Sequence, residues 1–284
     1  MRSEWNEEKL QRFLKDGRGQ GKFESYVPFI QIHDFGSLGR SSRVKTWRFN
    51  RIYHLLSDAE TRYFYLTEWE DEILDVREHY PLYDLQEVLG EQKDIDVNKF
   101  TDKKSGFPYI LTTTFLITVK DDKGNSYDVA RNIRASHELE KATTIERFEL
   151  IRRYFEKINM DWGIVTQKEI APFAIKAKNI EWVHPCRFLD ETTEFTRNDI
   201  TYLTNLFLER LHGNRSLIRD ITSSFDSYIN LETGTGLLLF KHLIATKQIK
   251  VNMNEKIDLN KPANEVVQIA DVKRGGEWRH VVDG

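Results

Sequence analysis

Apolar residues recur at helical spacing in three stretches of the first 160 residues or so. In residues 5–15 the apolar positions end at a Gly-Arg-Gly-Gln-Gly run, which is typical of a loop. A second helix is predicted from Ser57 or Asp58, either of which can cap it, with Glu60 in its first turn. The third helix covers residues 138–158 and has the most continuous apolar face.

Strand-like patterns alternate with these helices. They are rich in β-branched and aromatic residues and cover residues 26–32, 73–76, 109–119, 127–134 and 162–166. Pro28 marks the first as an edge or bent strand, and an Asp-Asp-Lys-Gly-Asn turn predicts a hairpin between the third and fourth. The alternation predicts a mixed α/β domain over residues 1–167.

The pattern becomes mainly helical after this domain. Helices are predicted over residues 195–211, 216–229 and 236–246, followed by a short strand over residues 248–252. Three helices and a short strand predict a small, winged-helix-like domain over residues 168–284, which ends in a polar tail. Many helical bundles share this pattern, so it does not single out the winged helix.

Composition excludes several classes of protein. The 284 residues include 42 Lys and Arg against 45 Asp and Glu, so global charge does not indicate a nucleic-acid-binding protein, although a local basic patch still can bind one. Cys186 is the only cysteine, which excludes an intramolecular disulfide and fits a reducing cytosol. No run of about 18 apolar residues occurs, so no membrane span is predicted.

A basic segment is the first candidate for nucleic-acid binding. Residues 40–51 contain no acid and interleave Trp47 and Phe49 with cations, an arrangement that can follow a phosphate backbone. With Arg18 of the glycine-rich loop, the candidate DNA contacts are Arg18, Arg40, Arg43, Lys45, Arg48 and Arg51. The alternatives are a solvated strand face for the segment and a simple turn, in place of a phosphate nest, for the loop.

The order of elements also matches the frame of restriction-type nucleases: a Glu early in a helix, a hairpin of two strands, then a helix. Such a site needs carboxylates to hold Mg²⁺, which activates water, and a Lys on the second strand. Here the two strands carry Thr-Thr-Thr-Phe at residues 112–115 and Asn-Ile-Arg at residues 132–134. The sequence therefore predicts the order of elements of such a nuclease, without the strand carboxylate and the Lys that its metal site needs.

At these residues the chain resembles the TnsA family, the endonuclease subunits of heteromeric cut-and-paste transposases. The resemblance runs nearly end to end, with motifs in the same order at residues 15–21, 26–29, 39–43, 54–60, 74–78, 144–154 and 179–182. It implies an N-terminal restriction-endonuclease-like domain of the PD-(D/E)XK type and a C-terminal winged-helix-type domain.

The resemblance also implies a function and a site. Members cut the 5′ strands at transposon ends with Mg²⁺, beside a TnsB-like transposase and a TnsC-like AAA+ ATPase, in the bacterial cytoplasm. The family's catalytic Glu falls on Glu60, its metal-binding Asp on Thr114, and its Gln-x-Lys on Asn132 and Arg134. Glu60 is thus the one carboxylate left at the implied metal site, which indicates weak metal binding or none.

Three functions follow as hypotheses. The first is a TnsA-like subunit that binds transposon-end DNA and bridges TnsB and TnsC, with 5′-strand cleavage lost or strongly weakened. The second is an active Mg²⁺-dependent endonuclease in which Glu68, Asp75 or Asp128 completes a rearranged metal site. The third is a winged-helix DNA-binding regulator, for which the helix over residues 236–246 offers few side chains for groove readout.

Overall fold

A computed structural model describes residues 4–34 and 40–269. The chain divides into two compact units, the first ending at Pro172 and the second beginning at Phe173, whereas the sequence placed the division after residue 167. Gly39 of the motif at residues 39–43 and the predicted polar tail beyond residue 269 lie outside the described residues. No helix in the described ranges is long and apolar enough to cross a membrane.

The first unit contains the mixed sheet that the sequence predicts. Its elements are α1 (Glu7–Lys15), β1 (Ser42–Lys45), β2 (Ile52–Leu55), α2 (Asp58–Trp69), β3 (Ile73–Pro81), α3 (Leu85–Leu89), β4 (Thr112–Lys120), β5 (Ser126–Ile133), α4 (Ala142–Lys157), β6 (Asp161–Val165) and α5 (Gln167–Ile170). The predicted helices at α1, α2 and α4 and the predicted hairpin of β4 and β5 are confirmed.

Four strands form the main sheet in the order β3-β4-β5-β6. The first two pairings are antiparallel, and β5 pairs with β6 in parallel because α4 carries the chain back between them. β1 and β2 form a separate antiparallel pair. Successive side chains of β4 point to opposite faces, so Leu116 packs with α4 while Phe115 stacks on Tyr63 of α2.

The predicted edge strand over residues 26–32 is wrong. Its backbone pairs with the glycine-rich loop instead of a strand: Gly19 donates its N–H to the Val27 carbonyl at 2.6 Å, and Val27 donates to Gln20. Pro28 has no N–H to continue a ladder, and the segment ends in a 3₁₀ turn at Ile32–Asp34. A Cβ on Gly19 would meet Pro81 at 2.2 Å, so the loop lies directly on the end of β3.

The second unit is mainly helical. It contains α6 (Ala174–Val183), α7 (Leu189–Thr192), α8 (Arg197–Leu211), α9 (Ile218–Ile229), α10 (Thr235–Ala245), β7 (Ile249–Lys250), α11 (Ala263–Val266) and β8 (Gln268–Ile269). The three predicted helices correspond to α8, α9 and α10, and the predicted strand is reduced to β7, which pairs antiparallel with β8. The sequence reading missed α6, whose polar and apolar residues lack a clear periodicity.

Candidate catalytic and DNA-binding site

Glu60 lies at the start of α2, where it has a structural partner. Ser57 caps the helix by accepting the Glu60 N–H at 3.2 Å, and Glu60 Oε2 accepts the Leu56 N–H at 2.7 Å. This exchange resembles a capping box, which satisfies backbone donors that a helix start leaves unpaired. The side chain is buried, so this carboxylate is held in one place by the helix start.

His79 connects Glu60 to the main sheet. Its Nε2 lies 2.9 Å from the His54 carbonyl oxygen, to which it donates, and 3.7 Å from Glu60 Oε2. The residue has a φ of 51°, in the left-handed region that non-glycine residues rarely adopt. In the pairing of β3 with β4, Glu78 lies opposite Phe115 and Tyr80 lies opposite Thr113. His79 and Thr114, between these two pairs, are not paired with each other. His79 therefore connects Glu60 to β3 at the place where the pairing with β4 skips Thr114.

Thr114 uses its hydroxyl oxygen inside the sheet. Regular pairing of β4 with β5 ends at Phe115 and Arg131, and beyond it Thr114 Oγ1 accepts the Ile133 N–H at 3.0 Å. The side chain is 4% exposed, so little of this oxygen is open to a ligand. The Thr114 hydroxyl oxygen therefore takes the place of a backbone carbonyl as the acceptor for a β5 N–H.

Asn132 is also engaged within the protein. Its Oδ1 accepts from Trp162 Nε1 at 2.8 Å and from the Thr113 hydroxyl at 3.2 Å, while its amide nitrogen donates to the Thr112 carbonyl. The residue is 1% exposed. This network links β4, β5 and β6 and leaves the amide turned away from solvent.

Arg134 follows β5 and extends its pairing with β6, because its N–H bonds to the Val165 carbonyl at 3.0 Å. Its side chain is half-buried, and no ion pair or side-chain hydrogen bond involves it within the described residues. Desolvation, and then the charge of Arg134, lower the pKa of Arg147 on α4.

These side chains do not form a binding site for Mg²⁺. A hard divalent cation takes oxygen ligands, preferably carboxylates, and of the four family-matched positions only Glu60 supplies one. The oxygens of Thr114 and Asn132 already accept hydrogen bonds, and Arg134 brings a positive charge. Within the part of the chain that the structure describes, no three His, Cys, Asp or Glu side chains come together to hold a metal ion.

The three carboxylates considered for a rearranged site have other partners. Glu68 accepts from the Thr46 hydroxyl and pairs with Arg48 at 3.1 Å. Asp75 Oδ2 accepts the Phe23 N–H at 3.0 Å, and Asp128 pairs with Arg77 at 2.8 Å and accepts from the Thr118 hydroxyl. These contacts hold each carboxylate in the packing of the first unit. None of the partners named here is a hydrogen-bond partner of Glu60 in the part of the chain that the structure describes.

Three of the six candidate DNA contacts are turned inward. Arg18 bonds to Asp34 and lies over the Phe13 ring; Arg48 donates to carbonyls at the end of α2; Arg51 pairs with Glu78 at 2.6 Å. These contacts within the protein offset the cost of burying each cation, although Arg48 Nη1 and Arg51 Nε are buried without a hydrogen bond. The glycine-rich loop is accordingly a structural turn around Arg18.

Arg40, Arg43 and Lys45 remain at the surface. Arg43 and Lys45 flank buried Val44 in β1, so both side chains leave the same face of the strand. A DNA contact by this basic segment is thereby restricted to these three cations and stays a prediction.

This surface adjoins the buried Glu60 region. Arg40 Nε lies 4.0 Å from Asp58 in the first turn of α2. Burial, then the charge of Arg43 and those of nearby histidines including His79, lower the pKa of His54 to about 4. The exposed cations of β1 thus lie beside the residues that surround Glu60.

The sequence reading missed two residues of this region, His79 and Arg147. His79 lies outside the family motifs, and Arg147 lies within the motif at residues 144–154 but has no role assigned by it. Each joins this region only through tertiary structure: His79 by the irregular pairing of β3, Arg147 by the return of α4. The spacing of residues along the chain carries no signal for either.

Comparison with known families defines the class of protein. Residues 70–167 match the family model described as TnsA-like endonuclease N terminal, and residues 174–253 match the model described as TnsA endonuclease C terminal. The chain therefore belongs to the TnsA family, which confirms the resemblance stated from its motifs.

A full-length relative supports the same family assignment. The chain is 31% identical over 283 residues to the Transposon Tn7 transposition protein TnsA of Escherichia coli, covering 99% of this chain and 98% of that protein. The similarity thus extends across both units and the connection between them.

Proposed function

We propose that this protein is a TnsA-like subunit of a bacterial transposition complex that binds transposon-end DNA without cutting the 5′ strands. The observation that carries the proposal is the hydrogen bond from the Ile133 N–H to Thr114 Oγ1. This bond engages a neutral oxygen within the sheet, and the resemblance matches the same residue to the family's metal-binding Asp. Family membership supplies the transposition context.

The expected loss of rate when catalytic groups are missing is large enough to favour loss of cleavage over modest weakening. Removing one electrostatic catalytic group commonly lowers a rate by about 10²–10³. Here the carboxylate is replaced by Thr114 and the Lys by Arg134, whose larger, planar guanidinium cannot give up its proton. Without a held metal ion the nucleophilic water itself is not generated.

The proposal includes the finer fold assignments. The order of Glu60 on α2, the β4–β5 hairpin and α4 supports a PD-(D/E)XK frame, and α8, α9 and α10 followed by the β7–β8 pair support a winged-helix-like second unit. The support for both assignments is the element order, and the two family models match one region in each unit.

The proposed partners are a TnsB-like transposase, which cuts the 3′ strands, and a TnsC-like ATPase that contacts the second unit. The work of this chain would be assembly and DNA binding in the cytoplasm. Because the 5′ ends then stay joined to the donor, the element is expected to form cointegrates instead of clean excision products.

A sequence-reading regulator has less support. In α10, Lys241 Nζ lies 4.4 Å from the centre of the Trp182 ring, and buried His242 bonds through Nδ1 to the Cys186 carbonyl. Both side chains are therefore engaged by the second unit and poorly placed to read bases in a groove.

The proposal is tested by restoring the missing groups. The wild-type protein, the cognate TnsB-like transposase and end-labelled transposon DNA are incubated with Mg²⁺ or Mn²⁺, and each strand is resolved on a denaturing gel. We expect 3′ nicks only with the wild type, and added 5′ nicks with the double variant Thr114→Asp, Arg134→Lys.

A further variant controls the result. Adding Glu60→Gln to the double variant should abolish the restored 5′ nicks, since it removes the remaining carboxylate. Wild-type 5′ cleavage that Glu60→Gln eliminates would overturn the proposal. Failure of the double variant to cut would contradict the PD-(D/E)XK frame at these positions.

A further inference from the structure

The β1–β2 pair has one face against the first unit and one face turned outward. Val44 of β1 and Tyr53 of β2 lie opposite each other, and both are buried. Because side chains alternate along a strand, Lys45 and Ile52, the next opposed residues, project from the other face. Ile52 is 53% exposed, and Lys45 is exposed beside it. The outward face therefore carries an apolar side chain directly across from a cation.

Further positive charge lies on and next to this outward face. Arg43 precedes Lys45 by two residues on β1 and is exposed, and exposed Arg40 comes just before the strand. Asp58 lies 4.0 Å from Arg40, whereas Arg43 forms no ion pair within residues 4–34 and 40–269. The segment over residues 40–51 contains no acid. The charge of this face is thus complementary to that of a polyanion such as DNA.

The loop that joins β1 to β2 folds back on the first unit instead of protruding. Arg48 donates to the carbonyl oxygens of Ile73 and Glu70 at 2.7 and 2.8 Å, and Arg51 pairs with Glu78 at 2.6 Å. These buried contacts fix the two strands from behind. The outward face is accordingly presented without a protruding loop, whereas readout in the major groove needs a helix or ribbon that enters it.

The two aromatic residues of the basic segment pack within the first unit. Trp47 packs on Trp69 with 6.0 Å between the ring centres, and Phe49 packs on Phe23 with 5.6 Å. Ile52 is therefore the apolar side chain that the outward face of β1 and β2 offers to a ligand. Its β-branch also favours a strand by itself, so strand propensity is the alternative reason for its presence.

We propose that the outward face of the β1–β2 pair lies along a minor groove of DNA, where Ile52 inserts at a base step and bends the duplex. This inference deepens the proposed function, on which its DNA ligand rests. Proteins that bend DNA from the minor groove insert apolar side chains between base steps and use Arg and Lys around them. Arg43 and Lys45 supply those cations beside Ile52. Bending needs no metal ion, so a subunit that does not cut can still perform it.

Energy transfer between dyes at the two ends of a duplex measures bending, and anisotropy measures binding to the same duplex. The full-length wild type, Ile52→Thr and Arg43→Ala are titrated onto a duplex of about 25 base pairs with a flexible TA step at its centre. Threonine keeps the β-branch at position 52 and removes the apolar end of the side chain. Tyr127→Thr is the matched control, because Tyr127 is another exposed large side chain on a strand, in β5.

Bending and binding should respond to different variants. At saturation the wild type and Tyr127→Thr should bring the dyes closer together, and Ile52→Thr should bind without this change. Arg43→Ala should raise Kd roughly tenfold at low salt and lower the slope of log Kd against log salt by about 0.9, yet keep the bend. The wild type should bind the TA duplex severalfold more tightly than a stiff A-tract duplex, and Ile52→Thr should bind the two alike.

The outcomes separate this inference from the proposed function. Bending by Ile52→Thr equal to that of the wild type would refute the inference and leave strand propensity as the reason for Ile52. A wild type that binds the duplex and leaves it straight refutes it too, while the DNA-binding role stands. A wild type that does not change the anisotropy contradicts both. If bending depends on Ile52 and the wild type also cuts 5′ strands, the bending role stands while the non-cutting role fails.

Discussion

At the scale of single residues, burial determines what a basic side chain does in this protein. Arg48 and Arg51 come from one basic segment, yet Arg48 donates to the Thr67 and Glu70 carbonyls at the end of α2, and Arg51 pairs with Glu78 beneath the Tyr53 ring. Withdrawing a charge from water is costly, so such groups are stable only with several partners. These arginines join the β1–β2 pair to α2 and β3.

A buried histidine gives a residue-scale prediction about acid stability. Burial lowers the pKa of His184 from 6.5 to about 4, so the folded protein holds it neutral while the unfolded chain takes up a proton in that range. Stability from this group is complete above about pH 6.5 and is lost as the pH falls towards 4, by up to about 3 kcal/mol. Urea unfolding of His184→Gln across this range should show a weaker pH dependence than the wild type.

The matched control for this prediction is His212→Gln, because His212 is exposed. Its unfolding free energy should follow the wild-type pH dependence. Identical pH slopes for the His184 and His212 variants would contradict the assigned role of burial.

At the scale of elements, α9 and α10 of the second unit are joined by a close backbone contact. Buried Asp226 accepts the N–H groups of Gly234 and Gly236 at 2.7 and 2.6 Å, which satisfies donors at the start of α10. A Cβ on Gly236 would lie 2.5 Å from the Thr222 carbonyl oxygen. Absence of a side chain at this position is what lets the two helices approach.

Gly236→Ala should therefore destabilise the second unit even though alanine favours helices. Overpacking against a backbone oxygen typically costs about 1–3 kcal/mol, more than the intrinsic gain from replacing glycine. Urea denaturation of the full chain should show a lower transition midpoint for the unit. Ser227→Ala, at an exposed position of α9, is the control and should change stability by less than about 0.5 kcal/mol; an equal effect of both would count against the close contact.

At the scale of the whole molecule, each unit contains its own core. The first unit buries Leu116, Ile151 and Phe155 between the sheet and α4, while the second packs Phe207 on Phe225 at 5.0 Å between ring centres. An apolar core that closes within one unit is the physical condition for independent folding.

A chain truncated after Pro172 should accordingly fold by itself. We expect a cooperative urea transition and near-ultraviolet circular dichroism from its packed aromatic residues, because its sheet and α4 enclose an apolar core of their own. The full-length protein is the reference for both signals. A truncated chain that is compact but lacks the near-ultraviolet signal would show that the first unit depends on the second.

Local pattern was sufficient for much of the element order. Helical spacing and a capping residue predicted α2, and β-branched runs around a turn predicted the β4–β5 hairpin, because these signals act between near neighbours. The edge strand over residues 26–32 was mispredicted because its backbone partner is the glycine-rich loop, which no alternation reveals.

The motifs along the chain were sufficient to identify the TnsA family. The match of Glu60, Thr114, Asn132 and Arg134 to the family's site stays a prediction from the same motifs. Only the tertiary structure decided what these side chains contact: the Thr114 hydroxyl accepts a hydrogen bond within the sheet, and Asn132 accepts one from Trp162 of β6. The physical reason is that residue type and spacing are local properties, whereas burial, hydrogen-bond partners and opposing charges come from segments brought together by folding.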